Sequence, residues 1–256
     1  MKYSWILFLI FTLPGWGQEL YEQRAFNATN GHTLNYRILL PEDYNQDKKY
    51  PLVLFLHGAG ERGNDNEKQL IHGSSMFLDP VFRNQHKAMV IFPQCPENSY
   101  WASMSIDRTA YPIKTDFIYP AQMTPPLESA LDLVQHLVRD KHVDPKRLYI
   151  MGLSMGAMGT LEALYRRPKL FAAAIPICGG GNVDLAKKYA RKLPLWLFHG
   201  DADAVVPVDF SRALYQRLTS LKATVRYTEY PGVNHNSWDK AFAEPELLSW
   251  LFNQQK

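Results

Sequence analysis

Ser154 lies at the centre of Gly152-Leu153-Ser154-Met155-Gly156, with the apolar run Arg147 to Met151 before it and the helix-forming stretch Met158 to Tyr165 after it. A serine in that setting sits on a sharp strand-to-helix turn. Such a turn needs small residues two positions away on each side, because a larger side chain would collide with the tight backbone. A hydroxyl is a weak nucleophile until a base takes its proton and a carboxylate orients the base. Both partners follow Ser154 in the order this kind of turn requires. The loop Asp201-Ala202-Asp203-Ala204-Val205-Val206-Pro207 carries two carboxylates, and the turn-rich segment Pro231 to Trp238 carries one histidine, His235. The chemistry these residues can perform is acyl transfer through a covalent serine intermediate, with Asp201 and Asp203 competing for the role of acid.

Each group hangs from the end of an expected strand. From Pro51 onward the chain reads as near-continuous apolar runs separated by helical segments, the pattern of strands buried on both faces of a parallel sheet. The expected strands are Leu52 to Leu56, Ala88 to Phe92, Arg147 to Met151, Phe171 to Ile177, Leu195 to His199 and Thr224 to Tyr230. The expected helices are Leu127 to Lys141, Met155 to Arg166, Asp184 to Ala190 and Asp209 to Leu221, each with apolar residues at three- and four-residue spacing. Before them, Arg24 to Asn27 and Leu34 to Leu40 flank an Asn30-Gly31 turn, a hairpin that gives an antiparallel edge. The fold class is therefore α/β: a mostly parallel central sheet with an antiparallel N-terminal edge, helices on both faces and no separate cap domain. One connection is unusually long, Glu97 to Pro126. Its Tyr100, Trp101, Tyr111, Phe117 and Tyr119 offer either flat faces for stacking on a substrate or side chains that pack the loop onto the domain.

The 256 residues, 46% hydrophobic, suffice for one core, and no repeat divides them. A formal charge of +3 gives no reason to expect a nucleic-acid partner. Met1 to Ser4 carries one positive charge, Trp5 to Leu13 is apolar, and Pro14 to Gly17 supplies small residues. This is the pattern of a secretory signal peptide over residues 1–17, ahead of a single domain over 18–256. The apolar run is less than half the length of a membrane span, so no stable membrane anchor is expected. Cys95 and Cys178 are the two cysteines, free buried thiols or one disulfide. Neither a His-Glu-x-x-His pattern nor a zinc-spaced Cys/His cluster occurs, so neither metal nor cofactor is expected.

Leu56-His57-Gly58-Ala59-Gly60-Glu61-Arg62-Gly63, Phe92-Pro93-Gln94-Cys95-Pro96, the serine turn, and His199-Gly200-Asp201-Ala202-Asp203 with Val206-Pro207 together resemble the α/β-hydrolases of the esterase and prolyl-oligopeptidase-like group. The resemblance covers nearly the whole chain after residue 17. It implies that Ser154 is the nucleophile, His235 the base and Asp203, the later acid of the His-Gly-x-x-Asp loop, the residue that orients it. It implies an oxyanion hole made by the N–H of Met155 and that of Ala59 or Gly60, with His57 a structural residue of that loop. Glu61 and Arg62 either reach substrate or pair with each other, and Trp101 and Trp238 are expected to wall the pocket. The leading reading is a secreted or periplasmic serine esterase that removes acetyl or feruloyl groups from carbohydrate. Its substrate would be a small-molecule or polysaccharide ester, with the oligomeric state left open. A prolyl-oligopeptidase-like peptidase is the second reading, and a catalytically silent binding protein of the same fold the third.

Overall fold

Alternating side chains on both faces of the central strands are apolar, and this decides the layering. The computed structural model describes residues 18–107, 109, 114–140 and 142–256; the expected leader and Tyr111 lie outside them. Strands β1 (Tyr21–Asn27) and β2 (Thr33–Leu39) pair antiparallel. They are followed by β3 (Tyr50–Leu56), helix α1 (Pro80–Gln85) and β4 (Met89–Pro93). The eight-stranded sheet has the order β1-β2-β4-β3-β7-β8-β9-β10, where β7 is Val143–Leu153, β8 Ala173–Ile177, β9 Leu195–Gly200 and β10 Val225–Tyr230. All neighbours from β4 to β10 are parallel, and β2 joins β4 antiparallel.

One face of the sheet presents Leu52, Leu54, Ile91, Ile150 and Leu197 to helices α2 (Pro125–Arg139), α3 (Met155–Arg166) and α4 (Asp209–Ser220). The other presents Val53, Phe55, Phe92, Tyr149 and Phe198 to α1, α5 (Trp238–Phe242) and α6 (Leu247–Phe252). Helices α1, α5 and α6 are too short to give a clear periodic signal in the sequence. The helix expected over Asp184 to Ala190 is instead a 3-10 turn, Asp184–Lys188. Cys95 and Cys178 are separate, buried thiols.

The long connection does not hang free. It contains a hairpin, β5 (Met104–Asp107) with β6 (Lys114–Phe117), and it is pinned to α3 by a buried acid. Glu162 is fully buried; its carboxylate accepts from the Ser103 N–H at 2.6 Å and the Ser103 hydroxyl at 3.1 Å, and pairs with Arg166 at 2.8 Å. Arg166 in turn donates to the carbonyls of Pro120 and Ala121. Trp101, Phe117 and Tyr119 are buried by this arrangement, so these three pack inward rather than offering stacking faces.

Candidate active site

The serine turn is built by the absence of side chains. A Cβ on Gly156 would lie 1.9 Å from the Leu56 carbonyl oxygen and one on Gly152 2.3 Å from that of Gly156, so the first turn of α3 seats directly on the end of β3 only with glycine at both places. Between them Ser154 is held at φ 51°, in the left-handed region that few non-glycine residues occupy. Its N–H bonds the Ile177 carbonyl at 2.8 Å, which anchors the turn to β8. The strain lifts the Oγ above the carboxyl end of the parallel sheet.

Two loops bring His235 and Asp203 there. They are stitched together residue by residue: the Gly232 N–H donates to Asp201 Oδ1 at 2.6 Å, the Ala202 N–H to the Val233 carbonyl at 3.1 Å, and the Ala204 N–H to Asn234 Oδ1 at 3.0 Å. The result places His235 Nε2 3.0 Å from Ser154 Oγ and His235 Nδ1 2.7 Å from Asp203 Oδ2. A carboxylate only accepts, so Nδ1 carries the hydrogen and Nε2 is left facing the serine hydroxyl. Asp201 is engaged with the Gly232 backbone, so of the two acids it is Asp203 that meets the histidine. Asn234 carries no signal in the sequence, because an asparagine in a turn has no spacing signature.

Asp203 has a fully buried side chain. Burial works against its charge, but bonds from His199, from His235 and from the N–H groups of Val206 and Val205 outweigh this and hold the carboxyl well below the usual carboxylate range. Cys178, Asp203 and His235 form the one group of metal-ligand residue types found together among the described residues, within 4.8 Å. Acid and base in that group are hydrogen-bonded to each other. Burial pushes the Cys178 thiol pKa far up, which keeps it protonated beneath the serine turn.

The remaining expected site residues divide. Met155 opens α3, so its N–H has no acceptor within the helix. Ala59 and Gly60 are exposed in the 3-10 turn Ala59–Glu61, which follows Gly58 where that residue lies against Leu153. Trp238 is half-buried and stands edge-on to the His235 ring, with centroids 5.3 Å apart. Trp101, expected on the pocket wall, is instead fully buried, and its indole N–H donates to the His57 carbonyl at 3.1 Å. The loop needs this anchor because His57 and Trp101 close the core beneath it. Glu61 and Arg62 do not pair with each other. Glu61 is buried with one oxygen 3.7 Å from His72, whereas Arg62 lies over the Tyr100 ring and donates to the carbonyls of Ala59, Glu97 and Ser99. The arginine thus ties the Gly58–Arg62 turn to the long loop. His57 holds the other side: its Nε2 accepts from the Cys95 N–H at 2.9 Å and its Nδ1–H donates to the Gly58 carbonyl at 2.6 Å.

The phospholipase/carboxylesterase family matches residues 43–245. The crystal structure of a thermostable esterase superposes with a TM-score of 0.83 at 38% identity, over 94% of this chain and 64% of that one. The chain therefore spans about two thirds of that esterase. Carboxylesterase SOBER1 of Arabidopsis thaliana is 24% identical over 80% of this chain and 90% of its own length. A shorter stretch of 74 residues is 35% identical to the bifunctional acetylxylan esterase/xylanase XynS20E of Neocallimastix patriciarum, covering 29% of this chain and 11% of that protein.

Proposed function

The chain belongs to the phospholipase/carboxylesterase family, an esterase of the α/β-hydrolase type, and on that premise we propose that Ser154, His235 and Asp203 form its catalytic triad. Ser154 Oγ bonds to the ester carbonyl carbon while its proton passes to His235 Nε2. Asp203 orients the ring and stabilises its charged form. The developing oxyanion is met by the N–H of Met155 and that of Ala59 or Gly60, in a hole whose donors are worth roughly 3 to 4 kcal/mol each. The imidazolium then gives its proton to the alcohol oxygen as the C–O bond breaks. Water repeats the cycle on the acyl-serine, releasing the acid and restoring the serine. The observation that carries this reading is the unbroken line from Ser154 Oγ to His235 to Asp203 at 3.0 and 2.7 Å, with the serine in its strained turn.

The substrate in this proposal is a carbohydrate ester of acetate or ferulate, met outside the cytoplasm. The signal-peptide pattern of residues 1–17 and the likeness to an acetylxylan esterase/xylanase support it. Trp101, Phe117 and Tyr119, packed inward, lend it nothing. The test is kcat/KM on an acetylated and a feruloylated xylo-oligosaccharide beside a peptide anilide. Preference for either sugar ester is expected; preference for the anilide would make the protein a peptidase. Ser154→Ala should abolish turnover and leave the fold intact, and near-native activity in that variant would remove the serine from the mechanism.

A further inference from the structure

His199 is the penultimate residue of β9, and its side chain is fully buried beside Asp203. Nδ1 lies 2.7 Å from Ser211 Oγ on α4, and Nε2 lies 3.0 Å from the Val206 carbonyl and 3.2 Å from Asp203 Oδ2. The tautomer follows from the partners. Nε2 faces two atoms that can only accept, so it carries the hydrogen, and Nδ1 accepts from the Ser211 hydroxyl.

We propose that His199 is a positioning residue for the triad: its Nε2–H is a second imidazole donor on Oδ2, the same Asp203 oxygen that takes the hydrogen bond from His235. The carboxylate is thereby held on both sides, with the N–H groups of Val205 and Val206 each 2.8 Å from Oδ1 and two rings on Oδ2. A buried carboxylate that loses one of its donors becomes a stronger proton acceptor and is freer to rotate. Both changes fall on His235. The other charged groups packed near the ring are Glu229, its register partner on β10, and Arg212 of α4; these bond to each other at 2.7 Å, so Asp203 is the carboxylate left for the ring to serve. Two histidines on one acid are not legible as a site in the sequence, since His199 reads there as the last residue of a buried strand.

The inference rests on the triad reading, and the test separates the two. Full-length protein is compared with Ser154→Ala, His199→Phe, His199→Asn and His199→Gln on p-nitrophenyl acetate. Glutamine can bring an amide N–H close to the Nε2 position, whereas asparagine is too short and phenylalanine has no donor. The Phe and Asn variants should lose roughly tenfold or more in kcat with KM changed less than about twofold. In both, the acid limb of the pH profile should move to higher pH, because a less-satisfied Asp203 favours the protonated base. The low-field proton resonance of the His235–Asp203 bond should shift with them, and His199→Gln should recover most of the rate. A Phe or Asn variant with unchanged kcat and acid limb overturns the inference, as does a rate loss with an unmoved resonance that glutamine fails to rescue. Nitrogen NMR of the unmodified protein tests it without any variant, since a His199 ring protonated only at Nδ1 also overturns it. Activity surviving in Ser154→Ala would instead bring down the triad itself.

Discussion

At the scale of single residues, two aspartates two positions apart have unlike roles because of where their oxygens point. Asp203 accepts from His235 and from the Val205 and Val206 N–H groups, with His199 Nε2 3.2 Å away, while Asp201 accepts from the Gly232 backbone. Asp203→Asn puts an amide where only an acceptor serves, favours the wrong tautomer of His235 and should lower kcat by roughly four orders of magnitude. Asp201→Asn keeps an oxygen for the Gly232 N–H and should stay within about threefold of the parent rate, since it removes no group that touches the reacting atoms. Equal loss in the two variants, measured with the same ester, would contradict this division. The serine turn is equally exacting: the Gly156 position, with the Leu56 carbonyl 1.9 Å from any Cβ, admits no alanine without moving β3 or α3.

At the scale of elements, the Glu162–Arg166 pair determines how the long loop is held on α3. It spends a buried acid on α3 to hold Ser103, and an arginine one turn later to hold Pro120 and Ala121. Removing one partner of a buried pair strands the other and costs about 3 to 5 kcal/mol. Glu162→Ala should therefore lower stability by that amount in urea titration and expose the loop to proteolysis near Ser103. A melting curve and cleavage pattern identical to the parent would show that the loop is held by its aromatics alone. Glu162 and Arg166 stand four residues apart on one helix, and nothing local in the sequence announces that the loop descends onto them.

At the scale of the whole molecule, His57 links the turn after β3 to the turn after β4, and its burial against Cys95 and Trp101 pushes its pKa down to about 4. Desolvation is the main cause. The unfolded chain, with an ordinary imidazole, takes up its proton first as the pH falls, so this contribution to stability is whole above about pH 6.5 and drains away toward pH 4, about 3 kcal/mol in all. Thermal melts between pH 7 and 4 should show the decline, and His57→Gln, which has no titrating ring, should flatten it. Below about pH 4 a second loss is expected as Asp203 and Asp65, whose folded carboxyls are held low by hydrogen bonds that outweigh their burial, are forced to take up protons. A melting temperature constant from pH 7 to 4 would remove His57 from this account.

The sheet, its hairpin edge and the three helices α2 to α4 were legible in the chain because strand and helix periodicity are local properties, read in windows of a few residues. So was the approach of Ser154, Asp203 and His235 to one edge, since groups placed just past the ends of neighbouring parallel strands converge there by topology alone. What only the tertiary structure decided depends on contacts between segments far apart in sequence. It turned Trp101 inward onto His57 and separated Glu61 from Arg62 by giving each a distant partner. It chose Asp203 over Asp201 through the stitching of two loops, and it set His199 against the acid across the end of β9. Side-chain direction at a loop or a strand end is set by whatever packs against it, and that neighbour is not adjacent in the sequence.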